Sequence, residues 1–181
     1  IFTHNWWHMA LFSLDLGDDA RALDLFDERV WGVRKGHCQD QVNAISLLAR
    51  LEMVDVAAGW RWDDIATHVE DRIGDRISGF LDLHYLYALA RAGRDAAVDQ
   101  RADALVGPAN TGLLAGLARG SIAHARGEYR DAAEALAPVR PHLTQIGGSN
   151  IQRELFEGMF AHSLRKMRGP HHAYDRWKEA A

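Results

Sequence analysis

The sequence predicts an all-α protein built from about five antiparallel helix hairpins that stack on one another. Three observations support this prediction. Glycines recur at similar intervals, the segments between them carry apolar residues at helical spacing, and no segment alternates apolar and polar residues as a half-buried strand does. Apolar residues make up 48% of the 181 residues, which is enough to form a substantial core.

Glycines mark the predicted turn inside each hairpin. They are separated by 42, 34, 34 and 42 residues, and they are Gly17, Gly59, Gly93, Gly127 and Gly169. A period near 34 residues is typical of the tetratricopeptide repeat, and 42 residues fits that unit with a longer loop. The spacing therefore predicts a tetratricopeptide-like, right-handed α-solenoid of about five units. We expect it to form a single domain over residues 1–181.

Helical periodicity and start signals place the individual helices. We expect the first helices of the hairpins over residues 2–16, 40–58, 79–92, 111–126 and 150–167. We expect the second helices over residues 19–32, 62–75, 95–106, 129–137 and 171–179. The segment from Ser149 to Gln152 has the pattern of a capping box at a helix start. The first helices are apolar on almost all sides, which is typical of the inner position in a stacked array.

Charge and composition narrow the expected partners and location. The net charge is −4 and the basic residues are spread along the chain, so we expect no nucleic-acid partner. No apolar run approaches the ~18–20 residues that span a bilayer, so we expect no membrane partner. The lone Cys38 fits a reducing compartment, and we expect a cytoplasmic protein. Because Ile1 is not an initiating Met, we interpret the chain as part of a longer protein whose N-terminal remainder stacks on the first unit.

Five segments together resemble segments that occur in the same order in the tetratricopeptide repeat protein 38 family. They are THNWWHMALFSLDLG, DQVNAISLLARLE, GWRWDDIA, FLDLHYLYALARAG and IGGSNIQRELFE. The resemblance covers essentially the whole chain, which looks like the C-terminal part of a longer family member. It implies an α-helical repeat fold and no particular reaction. It also draws attention to His4, Trp6, Trp7, His8, Asp40, Asn43, Arg50, Leu51, Arg61, Trp62, Asp82 and His84.

Polar residues recur at one phase of the predicted inner helices. His8, Arg50 and His84 each stand nine residues before the glycine of their hairpin. If the hairpins stack in register, these three side chains form a row along the inner wall. His4 stands four residues before His8 and therefore lies on the same helix face.

Three interpretations of this row remain open. In the first, its members are the satisfied partners of the buried carboxylates Asp40 and Asp82. In the second, the row is the floor of a groove for an anionic group, such as a peptide carboxylate or a small acid, since arginine binds a carboxylate through two hydrogen bonds. In the third, His4, His8 and His84 bind a metal ion, although their spacing matches no tight ligand motif.

We interpret the chain as a non-catalytic scaffold that binds a protein or peptide through its concave inner-helix groove. The expected groove residues are His4, Trp7, His8, Asp40, Asn43, Arg50, Asp82 and His84. The alternative is a small-molecule or metal-dependent enzyme centred on His4, His8, Asp82 and His84. We assign no catalytic residue, cofactor or metal. Cys38 has only its neighbour His37 as a nearby base, and no glycine-rich phosphate loop follows a strand.

Overall fold

The computed structural model describes residues 2–75, 78–105 and 112–168, which form helices and turns without a strand. The all-α prediction is therefore confirmed. The α-helices are α1 (Phe2–Asp15), α2 (Asp19–Leu25), α3 (Cys38–Met53), α4 (Arg61–Glu70), α5 (Gly79–Arg91), α6 (Asp95–Leu105), α7 (Gly112–Arg126), α8 (Tyr129–Leu136) and α9 (Asn150–Arg168). A π-helical turn (Phe26–Val30) continues α2, and a 3₁₀ helix (Arg140–Ile146) precedes α9. Within the described ranges, no helix has the length and apolar character needed to cross a membrane.

The turns between paired helices contain the predicted glycines. Their φ angles lie between +57° and +79° at Gly17, Gly59, Gly93 and Gly127. Glycine adopts this left-handed region without the steric cost that a Cβ brings, so these residues end one helix and allow the next to begin. The predicted turn at Gly169 and the predicted helix over residues 171–179 lie outside the described residues.

Two predicted helices are shorter than expected. The helix expected over residues 40–58 ends at Met53, and the next residues turn through Asp55, whose φ is +66°. The helix expected over residues 62–75 ends at Glu70 and is followed by turns. Apolar periodicity continues past both ends, so it could not locate them.

The capping box predicted before α9 is confirmed. The backbone N–H of Ser149 donates to Oε1 of Gln152 at 2.9 Å, and the backbone N–H of Gln152 donates to Oγ of Ser149 at 3.3 Å. Both backbone donors would otherwise lack a helical partner, so this exchange fixes where α9 starts.

The odd-numbered helices form the centre of the fold. In chain order α1 contacts α3, α3 contacts α5, and α5 contacts α7, while α2, α6 and α8 pack beside their hairpin partners. Residues 40–49 of α3 and 82–90 of α5 are buried on every side. The prediction of helices that are apolar and covered all round is correct for these two.

Helix α1 does not follow that prediction. Only Thr3, Trp7 and Ala10 are buried within it. Its opposite face exposes large apolar side chains, because no described helix packs against that face.

Helix α9 occupies the side of α3 where an open groove was expected. It contacts α3, α7 and α8. Nη2 of Arg50 donates to the carbonyl oxygen of Ile151 at 2.7 Å, and Nη2 of Arg165 donates to that of Met53 at 2.7 Å. The guanidinium of Arg50 is therefore bound to α9 and does not line an open groove.

Two glycines inside helices give a matched test of how tightly α8 packs on α7. A Cβ at Gly120 of α7 would lie 2.5 Å from Cγ of the fully buried Leu136, whereas a Cβ at Gly158 of α9 would lie 3.6 Å from Sδ of Met53. We expect Gly120→Ala to lower the free energy of unfolding by about 1–3 kcal/mol through overpacking. Gly158→Ala should raise it by up to about 1 kcal/mol through helix propensity. Urea unfolding followed by circular dichroism measures both, and equal effects would contradict the packing of α8 on α7.

Candidate functional site

The three residues of the predicted row lie near one another. The ring of Trp7 connects two of them, since its centroid is 4.8 Å from that of His8 and 5.9 Å from Cζ of Arg50. The charge of Arg50 in turn reaches His84 and contributes to lowering its pKa. Counting residues back from the turn glycines therefore identified side chains that lie near one another in the fold.

Arg50 is held by hydrogen bonds inside this region. Its guanidinium donates to the carbonyl oxygen and the hydroxyl of Ser46, one turn earlier in α3, and to the carbonyl oxygen of Ile151 in α9. Burial lowers the pKa of Arg50 to about 10, against the opposing charges of Glu154 and Asp15. The side chain remains charged at neutral pH and joins α3 to α9.

His84 is sealed inside the protein. Nδ1 lies 2.8 Å from the carbonyl oxygen of Phe80, so Nδ1 carries the ring proton and Nε2 carries a lone pair. That Nε2 is buried without a hydrogen-bond partner, and the ring lies 4.6 Å from that of Phe80 and 5.8 Å from that of Phe156. Burial is the main reason that the pKa of His84 is lowered to about 4. A neutral imidazole between aromatic rings cannot receive a ligand from solvent.

His4 and His8 form an edge of the site that remains half exposed. Their Nε2 atoms lie 3.2 Å apart, and Nδ1 of His4 lies 3.4 Å from Oδ1 of Asn43 on α3. The rings also contact Trp7, stacked for His4 and edge-on for His8. Burial and the charge of His4 lower the pKa of His8.

Trp7 itself is not a groove residue. It is fully buried beneath the two histidines, although it was expected among the groove residues. Trp6 is the half-exposed tryptophan of this pair, and Cζ of Arg29 lies 5.3 Å from the centroid of its ring. Because successive residues of a helix point about 100° apart, one of Trp6 and Trp7 has to face outward. The sequence alone does not show which one.

The two predicted carboxylates have other partners. Asp40 accepts hydrogen bonds from Thr3 and, at 2.5 Å, from Arg34. Burial raises the pKa of Asp40, but these hydrogen bonds outweigh that effect and hold the pKa below its ordinary value. Asp82 is bound by the buried guanidinium of Arg101 from α6. Neither carboxylate pairs with the row formed by His8, Arg50 and His84.

The ion pair of Asp82 and Arg101 joins α5 to α6. Arg101 also donates to the carbonyl oxygen of Arg72 at 2.6 Å, and its Cζ lies 4.8 Å from the ring centroid of Tyr85. Asp82 and His84 are two residues apart, about 200° around the helix, and so point to opposite sides of α5. The predicted pairing of Asp82 with His84 in one site is therefore wrong.

A cavity that the sequence did not reveal lies at the C-terminal ends of α3, α5 and α7. Its volume is about 320 Å³. Charged and polar side chains on its wall are Glu52, Asp55, Tyr87, Arg91, His124, Arg126, Tyr129, His162 and Lys166. These residues share no motif and come from five helices and one turn, so no local pattern could have identified them.

A chain of hydrogen bonds forms part of the wall of this cavity. The hydroxyl of Tyr87 lies 3.2 Å from Nδ1 of His124, and Nε2 of His124 lies 2.9 Å from Nδ1 of His162. If the hydroxyl of Tyr87 donates to His124 and His124 donates to His162, only the N–H on Nε2 of His162 lacks a partner. If the bonds run the other way, both the hydroxyl hydrogen of Tyr87 and Nε2 of His162 lack a partner, so the first direction is favoured. Burial is the main cause that lowers the pKa of His124 to about 3 and that of His162 to about 4. Both rings are neutral at pH 7 and join α5, α7 and α9.

The predicted metal set of His4, His8 and His84 does not assemble. Among the residues that the structure describes, no group of three or more His, Cys, Asp or Glu side chains could hold a metal ion. His171 and His172, which the sequence placed at a helix start, lie outside those residues.

Comparison with known proteins adds no assignment, since no protein-family model and no solved structure matches the chain.

A substitution at Asp82 tests whether this carboxylate is structural. We expect Asp82→Asn to lower the free energy of unfolding by about 3–5 kcal/mol, because it removes the carboxylate charge that the buried Arg101 guanidinium binds. Asp95→Asn is the matched control, since Asp95 pairs with Arg126 at the surface and should cost about 0.5 kcal/mol or less. Urea unfolding of both variants measures the difference. Equal, small losses would contradict the buried pair.

The buried His84 predicts how stability depends on pH. Its pKa is lower in the folded chain than the ordinary value of 6.5, so the unfolded chain binds the extra proton. Stability is therefore complete above pH 6.5 and falls as pH decreases towards about 4. His84 alone should contribute about 3 kcal/mol to that fall.

The variant His84→Leu isolates this contribution. The advantage of the wild type over the variant should shrink by about 3 kcal/mol between pH 6.5 and about 4, as measured by urea unfolding at several pH values. His124 and His162 remain in both proteins and cancel in the comparison. Parallel stability curves for the two proteins would contradict the buried, neutral state of His84.

Proposed function

We propose that the chain is a tetratricopeptide-like, right-handed α-solenoid related to the tetratricopeptide repeat protein 38 family, and that it binds a protein partner without catalysing a reaction. Two features of the fold support the solenoid. Turns with left-handed glycines separate the paired helices, and the odd-numbered helices contact one another in chain order. Stacked hairpins of this kind commonly present a surface for partner helices or peptides.

The exposed face of α1 carries this proposal. Four large apolar side chains, which we call the α1 stripe, lie on it with 50–85% of their surface exposed. They are Phe2, Met9, Phe12 and Leu16. A contiguous apolar surface of this kind marks an interaction site, because leaving it in water is unfavourable.

Helical geometry places these side chains together. Phe2, Met9 and Leu16 are seven residues apart, so each is displaced by only about 20° from the last, and Phe12 lies beside them. Polar and aromatic groups border the stripe, with His8 one turn before Phe12 and Trp6 one turn after Phe2. An apolar centre with a more polar border is typical of protein interfaces.

The chemistry of the partner follows from this shape. The other face of α1 packs against α2 and α3, so an apolar helix on the stripe would extend the same row of helices. We propose an amphipathic helix as the partner, supplied by a further helical hairpin. Such a hairpin, from a separate protein or from another part of the same protein, would cover the apolar side chains of the stripe.

An enzyme centred on His4, His8, Asp82 and His84 is less well supported. Asp82 faces Arg101 on the far side of α5, and His84 is closed off by Phe80 and Phe156. Asp82 and His84 are therefore occupied by structural partners, which speaks against a site that combines them with His4 and His8.

Charged substitutions in the stripe test the proposed function. We expect Met9→Asp combined with Leu16→Asp to weaken partner binding by more than about tenfold, because two apolar contacts worth about 1.5–3 kcal/mol each are lost. A photo-reactive amino acid at Phe12 in living cells would identify the partner helix by mass spectrometry of the cross-linked peptides. Quantifying that cross-link in the variant then measures the loss.

The matched control carries Val33→Asp and Val54→Asp, which place the same charges at apolar side chains that are 53% and 47% exposed elsewhere. Circular dichroism should show that both variants remain folded. Cross-links to the same helix at equal yield in the stripe variant and the control would rule out the stripe as the binding surface.

A further inference from the structure

The two imidazole rings on α1 form an arrangement that the proposed function does not use. Nε2 of His4 and Nε2 of His8 face each other at 3.2 Å, and the ring planes are inclined by 81°. Both side chains are half exposed, so an ion can reach them from solvent.

This separation is the one that two ligands of a single metal ion adopt. Imidazole nitrogen binds Zn²⁺ at ~2.0–2.1 Å. Two such bonds with nitrogens 3.2 Å apart enclose an angle of roughly 100° at the ion, between the square-planar and tetrahedral values. We propose that His4 and His8 bind one divalent transition-metal ion, of the class of Cu²⁺, Ni²⁺ and Zn²⁺, through their Nε2 atoms.

Neighbouring side chains prepare the ring of His4 for this role. The amide oxygen of Asn43 can only accept, so Nδ1 of His4 carries the proton that points to it, and Nε2 keeps its lone pair. The buried ring of Trp7 stacks on His4 with a centroid distance of 5.3 Å, which limits rotation of the imidazole.

His8 changes tautomer when the ion binds. Without the ion, Nε2–H of His8 donates to the lone pair on Nε2 of His4. In the bound state the proton of His8 resides on Nδ1, so that both Nε2 lone pairs are free for the ion. The two rings remain neutral and no net charge is created on the protein.

The site is open on its outer side. Among the described residues no third His, Cys, Asp or Glu joins the pair, so water fills the remaining coordination positions. Two imidazoles favour Cu²⁺ over Ni²⁺ and Zn²⁺ in the general order of stability for nitrogen ligands. This inference is independent of the proposed function, because it rests on the two histidines and not on the α1 stripe.

The test uses Cu²⁺ and chelator-treated protein in which His171→Gln and His172→Gln remove a second pair of histidines that could bind the ion. Calorimetric titration should show one equivalent of Cu²⁺ bound, and electron paramagnetic resonance should show two imidazole nitrogens on the ion. His8→Gln and His4→Gln should each weaken binding on the order of a hundredfold, because the second ligand no longer acts from the same molecule. Asn43→Ala should weaken it by about tenfold.

The matched control is His142→Gln, since His142 is an exposed histidine of the 3₁₀ helix and should leave binding unchanged. Ni²⁺ should raise the melting temperature of the parent protein and of this control, but not of His8→Gln, because binding stabilises only a folded site. Equal Cu²⁺ affinity in His8→Gln and His142→Gln, or a spectrum with a single imidazole nitrogen, would overturn the proposal.

Discussion

The near-complete burial of α3 and α5 is the constraint on which the rest of the structure depends. A helix covered on every side has to satisfy most of its polar groups inside the protein, because unpaired polar groups are costly away from water. Gln41 does so by accepting from the hydroxyl of Tyr85 at 2.5 Å and by donating to the carbonyl oxygens of Lys35 and His68. Such bonds fix α3 relative to α5 and to the turns around them.

Much of the fold could be predicted because its signals are local. A turn glycine, a capping box or an apolar helix depends on a few neighbouring residues, and the sequence states these directly. The predicted start of α9 is correct because Ser149 and Gln152 complete each other within one turn. The ends of α3 and α4 could not be predicted from the sequence, since tertiary packing and the turn at Asp55 determine where the helices stop.

The candidate site could be predicted only in part, because it depends on how distant segments meet. The shared phase of His8, Arg50 and His84 indicated that these side chains lie near one another, as they do. It could not indicate that α9 returns across Arg50, a contact between residues 101 positions apart. Helical geometry did contain one unused signal. The interval of two residues between Asp82 and His84 already directs them to opposite faces.

The position of a polar side chain relative to α9 separates the structural groups from the available ones. Arg50 and His84 lie beneath α9, where Ile151 and Phe156 contact them. Their polar groups therefore hold helices together and are not available to a ligand. His4 and His8 lie on α1, a helix with one exposed face, and both side chains are half exposed. Lone pairs in that position keep access to solvent. Contacts with α9 therefore occupy Arg50 and His84, whereas the half-exposed rings of His4 and His8 stay open to solvent.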